Sequence, residues 1–234
     1  MVQVLFDEML KLDFTFSNGM KKNCEMKGPG FFPGCIGTIS QNVNISEGNV
    51  MVLGQDFDTY KKHQEIKPEV GEIENNATWR NLKKLLSDIN IDPTKCFFTN
   101  AYMGLRSEGT KNTGASPASK KEATEFALQC HSFFKKQMQV IQPKLVLVLG
   151  KETARFLTKA FPSQFSKWVN IQTLKKFYEK DDAIINDTEF EGRKIRFVFV
   201  IHPSMSNINR SLIWGKDSKN EIRILREALH LWLR

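Results

Sequence analysis

The chain has 234 residues, 41% of them apolar and 26% charged, which excludes a disordered chain and suits one well-filled domain over 1–234. No apolar run reaches the about 20 residues that cross a bilayer, so no membrane partner is expected. Thirty-four Lys and Arg against twenty-six Asp and Glu leave +8, a balance that draws polyanions, nucleic acid first, although an ordinary lysine-rich surface accounts for it equally well.

Met1 to Phe14 reads as a short amphipathic helix with Val4, Leu5, Met9 and Leu12 toward one face. Asp7, Glu8 and Asp13 break the apolar centre that an export signal needs, so a cytoplasmic location is expected. Gly19 to Gly48 is rich in Gly, Pro, Asn and Ser, and its turn-dense centre carries Phe31 and Phe32. Residues 1–48 form an extension, 49–215 hold the core and 218–234 a final helix. Four compact apolar runs read as strands: Val50-Met51-Val52-Leu53, Cys96-Phe97-Phe98-Thr99, Leu145 to Leu149 and Phe197 to Ile201. The last three are apolar on both faces, as buried parallel strands are.

Helical patterns fill the intervals. Thr78 to Ile89 spaces Trp79, Leu82, Leu85 and Leu86 on one face. Ser116-Pro117 reads as an N-cap with proline in the first turn of a helix reaching Ile141, striped by Phe126, Cys130, Phe134 and Met138. Lys151 to Ala160 is a shorter helix. Ser218-Lys219-Asn220-Glu221 is a capping box ahead of Ile222, Leu225, Leu229 and Trp232. Alternating strands and helices predict an α/β fold, a three-layer α/β/α sandwich with a central, mainly parallel four-stranded sheet. Glu189 to Val200, broken at Glu191-Gly192, adds a short hairpin into the fourth strand. Cys24, Cys35, Cys96 and Cys130 contain no C-x-x-C pair, which argues against a disulfide scaffold and a zinc ribbon.

Ligands of such sheets bind beyond the carboxyl ends of the strands. There the sequence places Gly54-Gln55-Asp56-Phe57-Asp58, Asn100-Ala101-Tyr102, Gly150-Lys151-Glu152 and His202-Pro203-Ser204. A carboxylate, a carboxamide and an imidazole thus end three strands. Each alone suits a structural role: Asp56 a cap, Asn100 a turn, His202 the close of a strand.

These residues resemble the uracil-DNA glycosylase superfamily. Gly54 to Asp58 looks like its first motif, G-Q-D-P-Y or G-E-x-P-G, and His202-Pro203-Ser204 like its second. Asn100 stands where members carry the asparagine that reads the base. Thr78 to Leu82 resembles the helix start after motif one, and Pro143 to Gly150 the P-x-(apolar)-L-G strand of the iron–sulfur branch. The resemblance covers roughly Val50 to Arg210.

It implies a monofunctional DNA glycosylase that flips uracil or a related deaminated base from single- or double-stranded DNA and hydrolyses its N-glycosidic bond. Asp56 would orient water and stabilise the sugar cation, and His202 would stabilise the leaving base. Asn100 would pair with uracil and reject cytosine, whose donor and acceptor are reversed, with Gly54, Gln55 and Phe57 lining the pocket. Arg106, Lys111, Ser204, Met205 and Arg210 are candidates for the DNA-binding face, Met205 as the wedge that fills the vacated stack. A monomer with no metal and no cofactor is expected. Gly104 falls where the iron–sulfur branch has a cysteine, so no cluster is expected.

Two departures bear on activity. Phe57 replaces the motif-one proline, and Asp58 replaces the following Tyr or Gly, placing a negative charge near a base. No Phe lies between Lys61 and Ala77, which leaves Phe31, Phe32, Phe57 and Trp79 as stacking candidates. The alternative reading is a catalytically inactive nucleic-acid-binding member of the same fold. A nucleotide-processing enzyme lacks support, because no phosphate-cradling glycine motif is present.

Overall fold

The computed structural model describes residues 2–12, 21–22, 30–33, 50–66, 71–72, 76–106, 124–171, 173–180, 182–215 and 219–230. The expectations for Lys111, Cys24, Cys35, the Ser116-Pro117 helix start, Ser218 and Trp232 lie outside these residues. The first helix, α1 (Val2–Lys11), buries Leu5 and Met9 as its spacing predicts, while Val4 is exposed. It precedes β1 (Lys21–Lys22) and β2 (Val50–Gly54). Then follow α2 (Tyr60–Gln64), α3 (Ala77–Asp88), β3 (Cys96–Asn100) and β4 (Gly104–Leu105). The remaining elements are α4 (Thr124–Ile141), β5 (Leu145–Leu149), α5 (Lys151–Ala160), α6 (Leu174–Glu179), β6 (Ile184–Phe190), β7 (Arg193–Val200), α7 (Ser206–Trp214) and α8 (Asn220–His230).

The main sheet has the order β3-β2-β5-β7-β6. Its first four strands are parallel and fully or largely buried, which is why they read as continuous apolar runs. The sheet has five strands and not four. The chain turns at Glu191 and Gly192, both at positive φ, and lays β6 antiparallel along the edge of β7. Three residues of β6 are only half-buried and three are exposed, and that polar edge lacks the apolar run that marks the other strands. A sixth short segment extends the opposite edge. Phe32 bridges Thr99 in parallel and donates its N–H to Phe98 O at 2.8 Å.

Aromatic rings fill both layers between sheet and helices. On one face Phe98 meets Trp79 of α3 (4.8 Å between centroids) and Phe31 (5.7 Å). On the other, Phe32 packs between Phe97 and Phe133 of α4, and Phe134 meets Phe156 of α5. Such pairs add about 0.5–1.5 kcal/mol each beyond area burial. They hold the helices at fixed heights, so the strand ends form a rigid shelf. No described helix is long and apolar enough to cross a membrane.

Candidate active site

Parallel register brings the ends of four neighbouring strands to one rim. Gly54 of β2 lies opposite Asn100 of β3, and Leu149 of β5 opposite Val200 of β7. Asp56, Asn100, Gly150 and His202 therefore gather beyond the same sheet edge, although nearly 150 residues separate the first from the last.

Asn100 is buried, and its carboxamide leans across the neighbouring strand. A Cβ at Gly54 would run into Asn100 Oδ1 and stand 3.1 Å from Phe31 Cε1. Glycine is needed there because its missing side chain is the space these two groups occupy. Phe31 is thereby singled out among the four aromatic candidates as the ring beside Asn100. Phe32 points to the opposite layer, and Trp79 stands behind Phe31 at 4.9 Å. Phe57 is as deeply buried as Phe31 but is not among the groups nearest the Gly54 position. The placement of Phe31 depends on Glu72, whose Oε2 accepts both the Phe31 N–H and the Trp79 Nε1–H at 3.0 Å. Burial pushes the Glu72 carboxyl above the ordinary range, and the two donors oppose that. Nothing in the local pattern around Glu72 marks this role, since its partner lies 41 positions upstream.

Asp56 sits in a tight turn after β2. Its Oδ1 accepts the Asp58 N–H at 3.1 Å, which is possible because Asp58 takes left-handed backbone (φ 67°), a conformation Asp tolerates better than most residues. Its Oδ2 accepts from Gln55 Nε2 at 3.1 Å and stands 3.3 Å from Arg106 Nε. Burial raises the Asp56 carboxyl above its usual range, while Arg106 and the two hydrogen bonds pull it back.

His202 follows β7 and is capped by its own loop. Its Nδ1 lies 2.8 Å from Ser204 Oγ, and its carbonyl accepts the Met205 N–H at 2.9 Å. Burial lowers its pKa from the ordinary imidazole range, which favours the neutral ring. Gly150 makes room for it: φ is +83° there, and a Cβ would lie 3.0 Å from His202 Cβ. Helix α3 braces this loop from outside, Asn81 Nδ2 donating to Pro203 O at 2.8 Å. Neither Gly150 nor Asn81 stood out in the sequence as a support. Met205 is 37% exposed at the rim, and Ser204 is exposed.

Two expected phosphate ligands are placed otherwise. Residues 101–106 run alongside the turn after β2, with the N–H groups of Ala101, Tyr102 and Arg106 on the carbonyls of Gly54, Gln55 and Asp58. This docking buries Arg106, whose guanidinium joins Asp56 and Asp58 (Nη2 to Asp58 Oδ1, 3.1 Å) and not solvent. Arg210 donates Nε–H to the fully buried Glu221 at 2.6 Å. Glu221 also accepts the Ile201 N–H at 2.7 Å, so its carboxylate turns into the core below His202. Lys151, which opens α5 directly after Gly150, is a cation near the rim to which the sequence assigned no role. The described cysteines, Cys96 and Cys130, are buried thiols pushed up to about 12. Among the described residues, no three His, Cys, Asp or Glu side chains gather in a metal-binding group.

No curated protein matches the chain. A family model of the uracil DNA glycosylase superfamily matches residues 41–229, a span that contains every strand of the main sheet together with Asp56, Asn100, Gly150 and His202.

Proposed function

Because the chain belongs to the uracil DNA glycosylase superfamily, we propose that it hydrolyses the N-glycosidic bond of uracil, or a related deaminated base, in DNA. The observation that carries this reading is the placement of a carboxylate, a carboxamide and an imidazole at the same end of three parallel strands of one sheet, β2, β3 and β7. The target nucleotide leaves the stack and enters the space between Asn100, Phe31 and His202. Asn100 reads the base edge with one acceptor and one donor, and a cytosine there leaves buried polar groups unpaired. Phe31 forms the apolar wall against the base.

In the reaction the C1′–N1 bond breaks and its electron pair departs with the base. Asp56 stabilises the cation-like sugar, directs the water whose oxygen bonds to C1′, and takes up its proton. His202 donates from Nε2 to the base oxygen where charge collects. In this tautomer Nδ1 is the acceptor, and the Ser204 hydroxyl, 2.8 Å away, is placed to donate to it. Ser204, Met205 and Lys151 meet the backbone and the vacated stack at the rim.

The test is incubation with single- and double-stranded oligonucleotides carrying one uracil, followed by alkaline cleavage at abasic sites. Cleavage at the uracil position is expected. Intact strands, with uracil and with other deaminated bases, overturn the reading; retained DNA binding in that case marks a non-catalytic member of the fold.

A further inference from the structure

Arg106 and Asp58 have no part in the reaction as described, yet both lie against Asp56. The Arg106 side chain is 7% exposed and forks between two carboxylates, Nε toward Asp56 Oδ2 at 3.3 Å and Nη2 toward Asp58 Oδ1 at 3.1 Å. Asp58 is itself pinned: its Oδ1 accepts the Thr59 N–H at 2.8 Å, and its Oδ2 meets Lys62 Nζ at 3.2 Å. A carboxylate buried as deeply as Asp56 is costly unless a cation and hydrogen bonds compensate it, and without them it takes up a proton. Protonated Asp56 neither stabilises a sugar cation nor accepts a proton from water.

We propose that Arg106 is a positioning residue for Asp56: anchored from its other side by Asp58, its guanidinium fixes the Asp56 carboxylate and keeps it negatively charged. The proposal rests on the glycosylase reading. Gln55 donates to Oδ2 and Arg106 faces it, so Oδ1, which among the described residues accepts the Asp58 N–H, retains acceptor capacity for water. The charged groups acting on Asp56 are Arg106, which favours the anion, and Asp58, which disfavours it and whose charge is shared with Lys62. The arrangement gives Asp58 a use where the resembling motif carries Tyr or Gly. Its charge is turned to Arg106 as an anchor.

Single-turnover uracil release from a single-stranded oligonucleotide, followed from about pH 5 to about pH 9, tests this on the full chain. Removing the cation in Arg106→Gln raises the pH at which Asp56 ionises. The acidic limb is expected to move up by about one pH unit or more, with the rate recovering toward the parent at alkaline pH. Arg106→Lys retains the charge and is expected to move the limb less. Any His202 contribution is common to all three proteins. An unmoved limb in folded Arg106→Gln, or an equal loss at every pH, overturns the proposal.

If Arg106→Gln does not fold, carbon-13 titration of the parent's carboxyl groups decides. Asp56 is expected to be ionised at pH 7, and a protonated Asp56 there overturns the proposal. A parent that releases no uracil at any pH refutes the glycosylase reading instead, and the carboxyl titration still judges the ion pair.

Discussion

Asp56 and His202 do different work on one bond. Asp56→Asn and His202→Ala are each expected to slow single-turnover uracil release at least tenfold, about 1.4 kcal/mol or more in the barrier. DNA affinity should stay near the parent value. Full activity in both variants would place the chemistry elsewhere. Gly54 matters for the opposite reason, since it contributes only space. In Gly54→Ala the methyl group meets Asn100 Oδ1 and the Phe31 ring, an overpacking that costs about 1–3 kcal/mol. A lower melting temperature and a more than tenfold loss of uracil release are expected, because Asn100 must move off the base. An unchanged Gly54→Ala enzyme would show that Asn100 does not occupy that space during the reaction.

At the scale of elements, the site is held by connections from behind the sheet. Strand β7 ends at Val200, and Ile201, between it and His202, gives its N–H to Glu221 of α8. Glu221 is fully buried and takes Arg210 of α7 on its other oxygen, so one carboxylate joins β7, α7 and α8. Burial raises the Glu221 carboxyl above the ordinary range, and Arg210 acts against that. Arg210→Ala strands the acid without its partner and is expected to destabilise the protein by about 3 kcal/mol, read as a fall in melting temperature. A variant that melts like the parent but binds DNA more weakly would return Arg210 to the phosphate contact first expected of it.

For the whole molecule, the +8 charge is the quantity to explain. With Arg106 and Arg210 committed to buried carboxylates, any DNA grip must come from other cations, Lys151 at the rim among the described residues. A pocket for one flipped nucleotide grips a short stretch of backbone, about 3 to 5 phosphates. Log K against log salt should then fall with a slope of about −3 to −4.5 on duplex, and less steeply on single strands. Lys151→Ala should flatten that slope by about one phosphate without changing which base is removed, since phosphate contacts position and base contacts specify. A parent whose affinity ignores salt would mean that the basic excess is ordinary surface charge.

The amino-acid sequence by itself determined the parallel strands, the helices between them and the residues at the strand ends. Those features are local: an apolar run marks β5, a four-residue apolar spacing marks α4, and a strand that stops at Gly54 or Ile201 delivers the next residues to the rim. Only the tertiary structure decided the fate of the charges and the choice of the aromatic ring. Arg106 looked like a loop cation because its carboxylate partner Asp58 lies 48 positions away, and its burial follows from the docking of 101–106 against the turn after β2. Phe31, Phe32, Phe57 and Trp79 were equivalent as letters. They separated once Phe32 bridged Thr99 and Glu72 took the Phe31 N–H, which set one ring in each layer. Whether a polar side chain is solvated or buried depends on which distant segment covers it. Local periodicity carries no record of that, because the energy that settles it, desolvation against pairing, belongs to the contact and not to either residue.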